Sequence, residues 1–127
     1  MSSLAHWTAP VSYPVGTNPV SVTVQDLNGD GIMDMVVANQ GSNDVSTLFG
    51  SWDANGQWVG TAGPRLKSGG SGPIAAQAVF PSGGGLPQLV ITNGQSGTLA
   101  VLPGVGQGFF NDQNPQIVNL PGNPVLT

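Results

Sequence analysis

Oxygen-bearing side chains recur at alternating positions in one short stretch of the sequence. Counted from Asp26, they stand at positions 1, 3, 5 and 9, as Asp26, Asn28, Asp30 and Asp34. Ile32, at position 7, can offer its backbone carbonyl. Hard oxygen ligands in this order are typical of a calcium loop, in which several oxygens converge on one ion. The stretch therefore predicts a Ca²⁺ site with Asp26, Asn28, Asp30, Ile32 and Asp34 as its ligands.

The distribution of charge favours a cation at this stretch. The chain has six acidic residues, all Asp, and three of them fall within nine residues. Carboxylates this close repel one another unless a cation neutralises them, and Gly31 at position 6 permits the sharp turn of a calcium loop. The alternative is a bare hairpin turn, because Asn-Gly and Asp-Gly are strong hairpin signals. Two such dipeptides in tandem exceed what a turn needs, and Asp34 would then have no role.

The calcium loop is expected to join two strands. An EF-hand needs an acidic ligand at position 12, where this chain has Val37, and the residues after Asp34 are strand formers. An ion here would hold a hairpin in register. The corresponding loop at 80–88 contains no acidic residue and is predicted to turn without binding calcium. We therefore expect one ion per chain.

Outside the loop the chain is almost without charge. Only eight of its 127 residues are charged, against about 25% in an ordinary globular domain. Two basic residues cannot neutralise a run of phosphates or an anionic membrane surface, and no apolar run approaches the roughly 20 residues of a spanning helix. The sequence thus predicts neither nucleic-acid binding nor membrane insertion. A hydrophobic content of 39% argues against disorder.

The chain contains an internal repeat. Residues 16–50 and 70–104 align without a gap at an offset of 54, and nine of the 35 aligned pairs are identical. Segments that begin at Trp7, Trp58 and Phe110 each run from an aromatic residue to a Gly/Asn-X-Pro turn. Self-similarity at this period is the signature of a repeat architecture.

Each repeat has the pattern of four short strands. Its runs are β-branched and bounded by turn residues, and Val20, Val22 and Val24 alternate as expected for a half-buried strand. Four antiparallel strands in about 50 residues match one blade of a propeller, which has 4–8 blades. We predict an all-β fold of four-stranded antiparallel β-propeller blades in a partial ring of about two blades. The alternative is an open β-sandwich.

The predicted organisation divides the chain into four parts. They are an outer strand of a preceding blade at 1–15, a blade with the calcium loop at 16–69, a blade without it at 70–121, and the start of a third repeat at 122–127.

The motifs of the first repeat resemble those of the FG-GAP, or VCBS-type, repeat. The residues that carry the resemblance are Asp26, Asn28, Asp30 and Asp34, Val-Val-Ala-Asn at 36–39 and Gly-Ser-Asn at 41–43. The second repeat departs from the pattern at every metal ligand. The resemblance implies an integrin α-chain-like propeller with structural calcium hairpins, in proteins used for adhesion and lectin-like ligand binding outside the cell. It therefore implies a secreted location, although the chain itself starts with no signal-peptide pattern.

An enzyme would need a base and a nucleophile, or two free carboxylates. The only histidine is His6, which we expect at a surface or strand edge. With three Asp residues assigned to the ion, Asp44, Asp53 and Asp112 remain, each predicted to lie in a turn among Asn and Gly. We therefore expect no enzymatic activity, and rank part of a secreted hydrolase as the least favoured function.

A binding module is the favoured reading. Trp7 and Trp58 occupy equivalent repeat positions and are expected to be core residues between blades. Trp52 has no counterpart, is predicted to lie in a turn, and is the tryptophan expected to be exposed. An exposed indole among amides suits the face of a sugar. Trp52 is thus the candidate ligand-binding residue, with a glycan or a protein as the ligand.

The third hypothesis is a purely structural fragment. Two blades cannot close a ring, and open strand edges associate unless charge, proline or bulges guard them. We therefore predict either a homo-oligomer that completes a ring or further blades of a longer parent chain.

Overall fold

The computed structural model describes residues 11–121. The predictions made for His6, for Trp7 and for the third repeat at 122–127 lie outside these residues, as does most of the predicted outer strand at 1–15. Its described part, 11–15, is not in a strand. The described chain has ten strands and no helix, which confirms the predicted all-β fold.

Sheet 1 is built from the first repeat. Its strands are β1 (Pro19–Gln25), β2 (Asp34–Asn39), β3 (Asp44–Trp52), β4 (Trp58–Ala62) and β5 (Leu66–Lys67). They run antiparallel in the order β1-β2-β3-β4, and β5 pairs with the start of β3. Strands β1 to β4 therefore each pair with the next strand in the chain, as in a meander joined by short turns.

Sheet 2 repeats this arrangement. Its strands are β6 (Pro73–Val79), β7 (Gln88–Asn93), β8 (Thr98–Gly106), β9 (Phe109–Phe110) and β10 (Gln116–Asn119). The first three begin and end 54 residues after β1, β2 and β3. The irregularity in pairing after Pro19 in β1 also recurs after Pro73 in β6. The sequence repeat is therefore a repeat of strands and of hydrogen-bond register.

Each sheet has five strands where four were predicted, because the outermost strand is broken in two. In sheet 1, β4 pairs with the end of β3 and β5 with its beginning, and Gly63 and Pro64 lie in the gap. In sheet 2, β9 and β10 pair with β8 in the same way, and Pro115 lies between them. Proline has no N–H to donate to a sheet. The two halves of the outer strand therefore pair separately.

One hydrophobic core lies between the two sheets. Sheet 1 and its β1–β2 loop contribute Leu27, Val36, Val45 and Leu66, and sheet 2 contributes Ala76, Ala78, Leu89, Ile91, Ala100, Leu102 and Phe110. Phe49 packs at the margin, where its ring meets that of Phe109 edge-on at a centroid distance of 5.4 Å.

The two sheets meet through opposite faces. Ala76 and Ala78 of sheet 2 are buried, whereas their counterparts in sheet 1, Val22 and Val24, are each 57% exposed. Successive strand residues point to opposite faces. Sheet 1 therefore turns Ser21, Thr23 and Gln25 towards sheet 2 and leaves its valine face uncovered. The alternation predicted for β1 is present, but the apolar side is the exposed one.

Polar side chains of β1 face sheet 2 because they satisfy the backbone of β6, which is the edge strand there. The Gln25 amide donates to the carbonyl of Ala78 (2.7 Å) and accepts from its N–H (3.0 Å). The Thr23 hydroxyl donates to the carbonyl of Ala76 at 2.8 Å. Buried backbone groups must be paired, so a valine at either position would leave the edge of β6 unsatisfied.

This pairing predicts the effect of Gln25→Ala. Because the N–H and C=O of Ala78 would both lose their partner, we expect the free energy of unfolding to fall by about 1–3 kcal/mol. Urea unfolding followed by circular dichroism measures the change. Gln116→Ala, at an exposed position of β10, is the control and should shift stability by less than about 0.5 kcal/mol. Equal effects of the two substitutions would contradict the role of Gln25.

Candidate functional site

The predicted calcium loop connects β1 to β2 at one end of sheet 1. Gly29 and Gly31 adopt positive φ angles of 75° and 82°, a region that only glycine enters readily. No side chain or backbone atom lies within 4 Å of where a Cβ would sit on either residue. Backbone conformation, rather than crowding, therefore requires glycine at these two positions.

The exposed part of the loop is held by its own side-chain oxygens. The two carboxylate oxygens of Asp26 accept from the N–H groups of Gly29 and Gly31, each at 2.9 Å. The Asp30 carboxylate accepts from the N–H of Ile32 at 2.9 Å, and the Asn28 side chain accepts a longer bond, at 3.4 Å, from the N–H of Asp30. Asx turns of this kind fold the loop back on itself.

Asp34 is the buried member of the set. Its side chain is 0% exposed, and its two oxygens accept from backbone groups on either side of the hairpin. The N–H of Leu27 donates at 2.7 Å and that of Gly50, in β3, at 2.8 Å. Leu27 in turn is buried in the core. Asp34 thus ties the loop to the middle of sheet 1, a role in which a charged acceptor makes strong bonds.

The three carboxylates have no side-chain cation beside them in the part of the chain that the structure describes. Arg65 forms an ion pair with Asp44 instead, at 2.7 Å. The donor set of the loop consists of carboxylate, amide and carbonyl oxygens, which is the chemistry that calcium prefers. Each carboxylate oxygen has a second lone pair beyond the one given to a backbone N–H. The residues present therefore suit a hard divalent cation by chemistry.

The loop is not a preformed cage of acidic groups. Within residues 11–121, no three Asp, Glu, His or Cys side chains converge closely enough to hold a metal ion. Asp26, Asn28 and Asp30 lie together on the exposed loop, while Asp34 is directed into the sheet. A bound ion would need the exposed ligands to close over Asp34.

The second repeat shows what replaces Asp34 when the acids are absent. Gln88 stands at its position, and the N–H of Gly104, the counterpart of Gly50, donates to the backbone carbonyl of Pro87 at 2.9 Å. Pro81 corresponds to Leu27 and has no N–H to satisfy. In the second repeat a backbone carbonyl therefore accepts the hydrogen bond that Asp34 accepts from Gly50 in the first. The proline removes the need for the second acceptor, the one that Leu27 requires.

The other three acidic residues are engaged in hydrogen bonds. Asp44 accepts both from Arg65 and from Asn39, and it begins β3 rather than lying in the predicted turn. Asp53 lies in a turn, as predicted, and accepts from two backbone N–H groups there. Asp112 links the two sheets by accepting from the N–H of Lys67 at 2.8 Å.

The tryptophans occupy different environments. Trp52 is 59% exposed. It ends β3, directly before the turn in which it was predicted. Trp58 pairs opposite it on β4 and is half-buried. Its indole donates to the carbonyl of Met33 at 2.8 Å, and its ring meets Tyr13 edge-on. The prediction that Trp58 packs between blades stays a prediction, since Tyr13 belongs to the segment predicted to be the outer strand of a preceding blade.

A cleft that the sequence did not indicate lies where the outer strands of the two sheets meet. It has a volume of about 260 Å³. Its lining consists of Thr47, Pro64, Leu66, Gly108, Phe109 and Phe110. These residues come from strands far apart in the chain, so no local motif could have marked them. The lining has no ionisable group and suits contact with an apolar surface.

Comparison of the chain with protein-family models, with curated proteins and with solved structures finds no match. The FG-GAP resemblance therefore rests on the loop and repeat residues themselves. Among the residues described, no helix is long and apolar enough to cross a membrane.

The geometry of Asp34 predicts the effect of Asp34→Asn. An asparagine would direct its NH₂ at one of the two N–H groups from which Asp34 now accepts a hydrogen bond. That buried N–H would lose its acceptor. We expect a loss of about 2–4 kcal/mol in the free energy of unfolding, measured by urea denaturation in the presence of a chelator.

Asp30→Asn is the matched control, because Asp30 is exposed and asparagine can still accept from Ile32. It should cost less than about 1 kcal/mol under the same conditions. If both variants unfold at the same urea concentration, the buried carboxylate does not hold the hairpin.

Proposed function

We propose that this chain is a non-catalytic, calcium-stabilised β-propeller module for extracellular adhesion or ligand binding. The observation that carries the proposal is the set of three carboxylates on one hairpin, which have no side-chain cation beside them among the described residues. One of the three, Asp34, is fully buried. Two backbone N–H groups already offset the cost of burying its charge, and a divalent cation would add neutralisation of the negative charge of the loop.

The architecture supports a propeller over a sandwich. In a sandwich, two sheets pack through their inner faces. Here one face of sheet 1 meets the opposite face of sheet 2. A further sheet could therefore pack on either side through the same kind of contact. Stacking of this kind builds the radial array of a propeller. Together with the loop motif, it supports membership of the FG-GAP or VCBS-type repeats and, through that family, a secreted location.

Calcium would act on the fold rather than on a reaction. Asp26, Asn28, Asp30 and Asp34 would hold it through their side chains and Ile32 through its carbonyl. The bound ion would neutralise the loop and restrain the β1–β2 hairpin. Within residues 11–121, the remaining three acids are each engaged in structural hydrogen bonds rather than paired with a free base near the loop. We therefore propose no catalytic step.

Trp52 is the proposed ligand contact. It is the one tryptophan on which the described chain leaves most of the ring open, at 59% exposure. The exposed turn that follows it carries Asn55 and Gln57, whose amides can bond to hydroxyl groups. An aromatic face beside amides suits a carbohydrate, and a protein ligand is the other candidate.

The calcium proposal predicts a stability that depends on the ion. With an affinity typical of extracellular sites, about 0.1–1 mM, calcium at 100 times the dissociation constant should stabilise the fold by about 2.7 kcal/mol. Thermal unfolding in calcium and in chelator measures this shift. Asp26→Asn and Asp30→Asn should each reduce it strongly, because each removes a charged ligand.

Asp53→Asn is the control for this experiment, since Asp53 lies in the separate turn between β3 and β4. It should leave the calcium-dependent shift unchanged. An unchanged melting temperature of the native chain across calcium concentrations up to about 10 mM, well above the extracellular range of affinities, would refute the calcium site.

The ligand proposal predicts that Trp52→Ala abolishes binding on a glycan array. Phe80→Ala is the control, because Phe80 is a similarly exposed aromatic residue, at 47%, in the other repeat. It should bind as the native chain does. Equal binding by Trp52→Ala and the native chain would exclude Trp52 as the contact.

A further inference from the structure

Among residues 11–121, each sheet has one face that takes no part in the contact between the two sheets. The leading face is the side of β1 formed by Val20, Val22 and Val24. The counterparts of Val22 and Val24 in sheet 2 pack on sheet 1. The trailing face is the side of sheet 2 formed by Ala75, Gln77, Val79, Val90 and Thr92, which corresponds to the side of sheet 1 that packs on sheet 2.

The leading face is apolar and exposed along β1, whereas Val37 and Leu48, on the same side of sheet 1 in β2 and β3, are buried. Val20, Val22 and Val24 are 45%, 57% and 57% exposed. Their counterparts in β6 are Ile74, Ala76 and Ala78, and the two alanines are 3% and 4% exposed because sheet 1 covers them. A row of three exposed valines on an edge strand is unusual for a surface without a partner.

The trailing face is concave and exposed along β6, at Gln77 and Val79, whereas Thr92 in β7 is buried. A cleft of about 310 Å³ lies on it, lined by Ala75, Ala76, Gln77, Val79, Val90 and Thr92. Val79 is 47% exposed. Neither face carries a charged residue, so no like charges oppose contact between them.

We propose that the leading face of one copy docks on the trailing face of a second copy, repeating between chains the contact that joins the two sheets within one chain. This inference goes beyond the proposed function and does not depend on calcium. The occupant is a second copy because the internal interface already shows that these two kinds of face fit each other.

The backbone supports the same register between chains. Ala78 directs its N–H and C=O away from β7 and towards Gln25. Val24 has the same place in β1, paired with Met35 as Ala78 is paired with Leu89. Its N–H and C=O therefore face the open edge of sheet 1. In the docked pair they would lie beside position 79 of the other copy.

The contact between chains would lack some of the hydrogen bonds of the contact between the two sheets of one chain. Gln77 corresponds to Thr23 and can donate to the carbonyl of Val22, as Thr23 does to that of Ala76. Val79 corresponds to Gln25 and cannot bond to the backbone of Val24. The association should therefore be weaker than the internal contact and should depend on protein concentration.

The proposed assembly is head-to-tail, so its symmetry is restricted. A heterologous contact forms a ring if the rotation closes and a filament if it does not. Because propellers usually contain four to eight blades and each copy contributes two sheets, closed rings would contain about two to four copies.

Sedimentation velocity of the full chain across a range of concentrations tests the association. The native chain should form a discrete species larger than a monomer, whereas Val22→Asp with Val24→Asp should stay monomeric, because a carboxylate would be buried without a partner. Leu86→Asp adds a carboxylate at a loop residue that is 56% exposed and lies off both faces, so it should associate as the native chain does. A native chain that is monomeric throughout would overturn the proposal.

The head-to-tail direction can be tested with cysteines, because the chain has none of its own. A mixture of Val24→Cys and Val79→Cys chains should be cross-linked by a short bifunctional maleimide, and each variant alone should not. Cross-linking of Val24→Cys alone would indicate a two-fold contact and overturn the proposed direction. Circular dichroism first establishes that each variant is folded.

A second pair of variants tests the register. Val79→Gln supplies the amide that Gln25 supplies internally, and Val79→Met supplies a side chain of similar size without it. Tighter association of the glutamine variant, by about two- to tenfold for one or two added hydrogen bonds, is expected. Tighter association of the methionine variant would contradict the register.

Repeating the sedimentation in calcium and in chelator separates this inference from the proposed function. A calcium-binding monomer would overturn the association and leave the calcium proposal in place. An oligomer that binds no calcium would do the reverse.

Discussion

The fold depends on how the free edge of each sheet is satisfied. The first strand of a meander has no partner on its outer side, so its backbone N–H and C=O groups need another acceptor and donor. In sheet 2 they find them in the side chains of Gln25 and Thr23 of the preceding sheet. This requirement explains why β1 directs polar residues inwards and valines outwards. It also makes sheet 2 dependent on sheet 1.

The two repeats meet a second requirement by different chemistry. Gly50 in β3 has an N–H that needs an acceptor at the base of the β1–β2 hairpin. Gly104 in β8 has the same need beside the β6–β7 hairpin. A buried carboxylate accepts the first bond and the backbone carbonyl of Pro87 accepts the second. The hairpin shape is thus compatible with the presence or the absence of acidic residues. Retention of three acids in the first repeat alone is best explained by a further demand on that loop.

Much of the fold could be predicted because the internal repeat of the sequence is also a repeat of strands. The gapless offset of 54 located β6, β7 and β8 once β1, β2 and β3 were recognised, and turn residues marked their ends. The direction of the valine face could not be read from alternation, because a period of two does not say which side meets the partner sheet. The break in the outer strand and the contact of Trp58 with Tyr13 also depend on tertiary structure. For the candidate site, the sequence predicted the loop and its oxygen-bearing residues, but not that Asp34 lies buried with its carboxylate on the N–H of Gly50.

Leu27 connects the loop to the core and gives an ion there a means of acting on the whole module. It stands between Asp26 and Asn28 in the chain, yet its side chain is 2% exposed and belongs to the core between the sheets. Its N–H donates to the same Asp34 carboxylate that holds β3. Restraint of the loop by a cation would therefore fix a core residue as well as a turn. The loop and the packing of the two sheets are in this way coupled through one buried leucine and one buried carboxylate.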